Sequence, residues 1–170
     1  MHGNGIIASQ QPVQQSTNQS KITLNDFTIT PLQSFEIEAR VLSVEHYSFD
    51  READLAPVDL ALGWGPMSDG AVLSKIDISQ SNRFYFWHVN EFPIPRREIE
   101  TNSANMHMIP ADSKIEKVLE GIKTGQRVKL SGYLVQVDSS DGWHWKSSLS
   151  REDTGNGSCE LVYVKSVIVN

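Results

Sequence analysis

Cysteine is nearly absent: Cys159 is the only one in 170 residues. A lone thiol closes no internal disulfide, so the core must stand unaided, and cysteine usage favours neither the cytosol nor an oxidising compartment. Positive charge is also scarce. The 15 Lys and Arg face 21 Asp and Glu, for a net charge of −6. A duplex binder would have to overcome that repulsion with a concentrated basic patch, and Arg96-Arg97 is the only adjacent basic pair. Nucleic acid is therefore disfavoured as a partner. No apolar run approaches the roughly 18 residues that a membrane-spanning helix needs. Gly5-Ile6-Ile7-Ala8 is too short for the apolar part of a signal peptide, and no basic residue precedes it. His2, His46, His88, His107 and His144 all stand alone, with no His-x-His, His-x-x-x-His or Cys-x-x-Cys spacing. Neither a metal nor another cofactor is expected.

What is present is a β pattern. Phe35 to Val41 alternates apolar against charged residues, then shifts parity through Leu42, Val44 and His46. Val128 and Leu130 alternate with Arg127 and Lys129. Beyond Gly132 the apolar parity changes to Val135 and Val137. A parity change at glycine predicts a bulge or sharp bend, the device that curls a sheet. Further strands are expected at Ile22–Leu24, Phe27–Thr30 (stopped by Pro31), Ile76–Ile78, Phe84–His88, Trp143–Leu149 and Cys159–Val169. The last two are joined by a turn at 152–157. Pro57 to Leu62 reads as a short helix closed by Gly63, and Ser68 as the cap of another turn through Lys75. Ser113-Lys114-Ile115-Glu116 is a capping box opening a helix with an Ile115, Val118, Leu119, Ile122 stripe. Residues 1 to 20, rich in Gln, Ser, Asn and Gly, are expected to be a disordered tail. Residues 21–170 are read as one domain: mainly β, a small curled antiparallel barrel with one plugging amphipathic helix and a long irregular insertion. That order is similar to an oligonucleotide/oligosaccharide-binding (OB) barrel; a two-sheet sandwich is the rival.

Three blocks, Asp59-Leu-Ala-Leu-Gly-Trp-Gly-Pro-Met-Ser-Asp69, Ser103-Ala-Asn-Met-His-Met-Ile-Pro-Ala111 and Gly142-Trp-His-Trp-Lys-Ser-Ser-Leu149, resemble an uncharacterised bacterial protein family over roughly residues 36 to 170. The resemblance implies envelope proteins with an N-terminal membrane anchor. This chain shows no anchor, so a periplasmic or envelope location is expected if an anchor or leader was trimmed ahead of Met1, and a cytoplasmic one otherwise. The resemblance implies no activity, cofactor or catalytic residue.

The polar residues singled out for a ligand-binding patch are Trp64, Asp69, Arg83, Ser103, Asn105, His107, His144 and Lys146. Ser103, Asn105 and His107 fall on one side of an extended segment, opposite Ala104, Met106 and Met108. They read either as a pocket wall or as side chains satisfying a loop. Trp143 and Trp145 share a face and serve either as core or as a platform for sugar rings or bases, with His144, Lys146 and Ser148 lining the other side. The leading expectation is a non-catalytic binding or scaffold domain for a glycan, a peptide or a protein partner. The first alternative is a hydrolase using His107, with Ser103 or Ser68 as nucleophile and Asp69 or Asp59 as orienter. The second is a single-stranded nucleic-acid module, whose affinity would depend on salt.

Overall fold

A computed structural model describes residues 5–150 and 159–170. Its strands are β1 (Val13–Gln15), β2 (Ile22–Leu24), β3 (Phe27–His46), β4 (Val58–Gly63), β5 (Asp77–Ser81), β6 (Phe84–His88), β7 (Ser103–Pro110), β8 (Arg127–Ser139), β9 (His144–Lys146) and β10 (Glu160–Val169). The helices are α1 (Arg51–Leu55), α2 (Gly70–Leu73), α3 (Arg96–Thr101) and α4 (Ser113–Glu120), with a 3-10 turn at Gly65–Ser68. Strands β3, β4, β7, β10 and β8 pair in that order, and β8 pairs back to β3, which closes a ring. All its pairings are antiparallel except β7–β10, which is parallel. The ring, with α4 between β7 and β8 in the chain, is the expected OB-like curled barrel, with one parallel contact where all were expected antiparallel.

Alternation sorts the side chains into separate cores. Phe35, Ile37, Leu60, Leu62, Met106, Met108, Val128, Leu130, Leu134 and Val162 fill the barrel, together with Ile115, Leu119 and Ile122 from α4 and its exit. Phe27, Ile29, Ile109, Val135, Val137 and Leu161 form a second cluster, covered by Trp143 and Trp145. The insertion between β4 and β7 builds a third from Met67, Ile76 and Ile99 on Leu42 and Ala61.

The expected bend at Gly132 is real, but the extra residue is elsewhere. The register shifts in β10 between Val164 and Ser166, opposite Gly132 and Ser131. A Cβ on Gly132 would lie 1.8 Å from the Tyr163 carbonyl oxygen, so only glycine permits the approach. Leu134 stays in the barrel while Val135 and Val137 enter the second core, so the apparent parity change marks two apolar faces. The shift foreseen at Leu42 is a bulge against β4. Pro31 does not stop its strand, because it sits at a second bulge between Pro31 and Gln33, where no ladder donor is required.

Other expectations are corrected. Pro57–Leu62 is no helix: Val58–Gly63 is the buried strand β4, paired on both edges. Its flanking Pro and Gly mimic helix punctuation, and the two partner strands override it. The α4 cap is Asp112, whose side chain accepts from Ile115 N, not Ser113, and Val118 is exposed. Asp69, not Ser68, caps α2. The β9 strand covers only His144–Lys146, and the 152–157 turn lies outside the described residues. Residues 5–20 run along the barrel where a disordered tail was expected. There β1 pairs with β3, Ala8 is buried, and Gly65 N donates to Ala8 O at 2.7 Å. No helix of the described residues is long and apolar enough to cross a membrane.

Gly132→Ala should destabilise the fold by at least about 1–3 kcal/mol, the scale of overpacking. Urea unfolding followed by circular dichroism measures it, with Gly121→Ala, whose nearest neighbours lie at ordinary contact distance, as the mild comparison.

Candidate functional site

On the outer face of the barrel, β4 contributes Asp59 and β7 contributes Asn105 and His107, with Asp59 directly opposite His107. The β5–β6 hairpin folds over them. Its two-residue tip, Asn82-Arg83, has φ of 52° and 72°, left-handed at both positions as a primed hairpin turn demands. Placing arginine there is costly. The conformation carries the guanidinium down onto Asp59, with Arg83 Nη1 donating to Oδ1 at 2.7 Å.

One buried carboxylate thus gathers three donors. His107 Nδ1 lies 2.9 Å from Asp59 Oδ1, and Asn105 Nδ2 donates to Oδ2 at 3.2 Å and to Arg83 O at 3.0 Å. Because the carboxylate paired with Arg83 only accepts, the His107 proton sits on Nδ1. Gln80 Nε2 donates to Asn105 Oδ1 at 2.7 Å. Aromatics close the cluster. Arg83 stacks 3.8 Å from the Tyr47 ring centroid, its backbone N–H bonds the Tyr47 hydroxyl, and Trp145 packs 4.7 Å from His107. Isolated, Asp59 would be prohibitively desolvated; with charge-assisted partners it locks the hairpin to the barrel.

The patch expected from sequence is only partly assembled. Arg83, Asn105 and His107 converge, and Ser103 follows on the same strand face, bonded to Tyr85 Oη and Ile99 O. Trp64 is fully buried in the barrel core, its indole N–H donating to Gln11 Oε1. Asp69 caps α2 and accepts from Gly5 N. His144 and Lys146 are exposed on the outward side of β9, while Trp143 and Trp145 face the second core. Asp59, named in the sequence only as a possible orienter, is the centre; reading 58–63 as a strand would have set it beside His107. Tyr47 and Gln80 carried no sequence signal.

Hydrolysis needs a nucleophile beside the histidine. The Ser103, Ser68 and Ser147 hydroxyls donate to the carbonyls of Ile99, Gly65 and Ser148. Among the described residues no serine hydroxyl bonds His107. The Cys159 thiol sits 3.7 Å from Arg83 O. Burial first, then the Glu160 and Asp59 carboxylates, push its pKa up to about 12, so it stays protonated and unreactive.

From Trp145 the aromatic contacts lead outward, to Trp143 at 6.1 Å and then Phe27 at 5.8 Å. There a cleft of about 910 Å³ opens between the β3–β4 loop and the β8–β9 turn. Its rim carries Asp26, Asp50, Asp54 and Asp141, one cation, Arg51, and Phe49, which is 99% exposed. Arg51 forks onto Asp141 at 2.7 and 3.1 Å and covers Trp143. The Ser139 hydroxyl, the Trp143 N–H and Arg51, in that order, hold the Asp141 carboxyl at about 2.

Asp59→Asn leaves Arg83 buried without its counter-charge and should cost about 3–5 kcal/mol; Asp69→Asn, an equally good cap, should cost well under 1. Urea unfolding separates the two. Burial also raises Tyr85, to about 12 from 10.0, as it raises Cys159 from 9.0. Both groups fold better protonated, so their contribution is complete below about pH 9 and is lost as pH rises towards 12. Denaturant midpoints at stepped alkaline pH should fall, and Tyr85→Phe should flatten the slope.

No protein-family model, curated protein or solved structure matches this chain.

Proposed function

We propose that this chain is a non-catalytic binding domain that takes a hydroxyl-rich, neutral or cationic ligand, a glycan strand by preference, in the cleft beside Phe49. The envelope setting rests on the resemblance of the three sequence blocks. The observation that carries the binding role is the pairing of a fully exposed aromatic ring with a carboxylate rim at the loop end of the barrel. A bare phenylalanine at a loop tip gains by stacking on an apolar sugar face, and carboxylates accept hydrogen bonds from hydroxyl or ammonium groups. OB barrels present ligand loops at this place in the topology. Four aspartates against one arginine repel a polyanion, so oligonucleotides fit poorly. The Asp59 network supports this reading from below: it fixes Trp145, which packs on Trp143 beneath Arg51.

The test is a titration of 15N-labelled protein with neutral and amino-sugar oligosaccharides. Shifts should gather at Phe49, Arg51 and Asp141, and Phe49→Ala should weaken binding roughly two- to twelvefold, the scale of one aromatic contact, about 0.5–1.5 kcal/mol. Silence at those residues across the panel, or stronger shifts with a single-stranded oligonucleotide, overturns the proposal. Arg51→Ala should raise the Asp141 pKa from about 2 towards the usual carboxylate range, read by carbon-detected NMR titration.

A further inference from the structure

A second cleft, of about 590 Å³, lies where the insertion meets the barrel, away from the loop end. Its walls include Leu42, Leu73, Ile76 and Ile78, with Thr124 and Gly125 at one side and Arg40 among the lining groups. Arg40 is the anomaly. Only 3% of it is exposed, yet no carboxylate lies within ion-pair distance among the described residues. Its one hydrogen bond runs from Nη1 to the Ser68 carbonyl at 3.1 Å. Its remaining nitrogens bond no described residue, none is wholly sealed from solvent, and Arg40 lines the cleft. A buried guanidinium with a single carbonyl partner is under-compensated, since such charges are normally paired. Tethering the 3-10 turn explains Nη1 and leaves the other donors unexplained.

We infer that Arg40 is the anchor of a second binding site, which takes a small monocarboxylate with an apolar body. A carboxylate accepts two parallel N–H donors from a guanidinium fork, and the aliphatic walls cover its apolar body. One charge suits the site better than two. The Gly5 and Ala71 amides lower the Asp69 pKa most, with a smaller part from Arg40, and Asp77 lies at the cleft margin, so a dianion would meet more repulsion than a monoanion. The anion preference and the distance from Phe49 make this site independent of the proposed glycan cleft.

Isothermal calorimetry and amide-shift mapping with hexanoate, hexanol and inorganic phosphate test the assignment. Hexanoate should bind and shift Ile78, Thr124 and Gly125. Hexanol should bind at least tenfold more weakly, and phosphate should leave those residues unmoved. Arg40→Gln should lose hexanoate binding. Because that change also removes the Ser68 tether, Ile78→Trp, which fills the cleft from its wall, provides a second block, and Asp77→Asn should tighten binding. Absence of hexanoate shifts at these residues in the unaltered protein, equal binding of hexanol, preference for phosphate, or retained binding in a folded Arg40→Gln variant each overturns the inference.

Discussion

The pairing of β3 with β8, running from Phe27 opposite Ser139 to Arg40 opposite Arg127, joins the two ends of the sheet and turns an open ribbon into a ring. Everything else hangs on that closure. With it, Leu60, Met106, Leu130 and Val162 look at one another across a common interior and exclude water. It requires bulges in β3 and β10 and a glycine at position 132, where a side chain would strike the Tyr163 carbonyl. The curl is therefore specified by a few backbone positions, while the filling is ordinary aliphatic packing.

Closure gives the outer face of β4 and β7 a role that a flat sheet would not. The insertion between these strands folds back and covers them, so Asp59, Asn105 and His107 are buried outside the barrel rather than inside it. Arg83 completes the group from the tip of a left-handed turn. Its cost is offset by a guanidinium–carboxylate bond and by stacking on Tyr47. The cluster resembles catalytic machinery in composition, with a carboxylate and a histidine in hydrogen-bond contact. Its serines are engaged with carbonyls, and its thiol is held protonated. The same residues act as a clamp between insertion and barrel.

Both clefts arise where segments remote in sequence meet. One lies between the β3–β4 loop and the β8–β9 turn, and its rim is acidic with a bare aromatic ring. The other lies between the insertion and β3, and holds Arg40, which has no ion-pair partner among the described residues, with Asp77 at its margin. Neither cleft is lined by Asp59, Asn105 or His107.

Alternation by two in Phe35–Val41 and Arg127–Leu130, the break at Leu42, the glycine at 132 and the stripe of α4 were legible in the amino-acid order, because these signals depend on neighbours along the chain. They determined a curled, mainly β domain with a helical plug. Strand β4 was not legible, since Pro57 and Gly63 imitate helix ends and only the flanking β3 and β7 ladders make the segment extended. The N-terminal residues look too polar to fold, yet β1 finds an edge of β3, and Ser68 and Asp69 accept their amides. Arg83, Asn105 and His107 were picked out from the sequence, whereas Asp59 and Tyr47 were joined to them only by tertiary structure. A buried charge chooses its counter-charge by distance in space, and the chain order records none of those distances until the barrel closes.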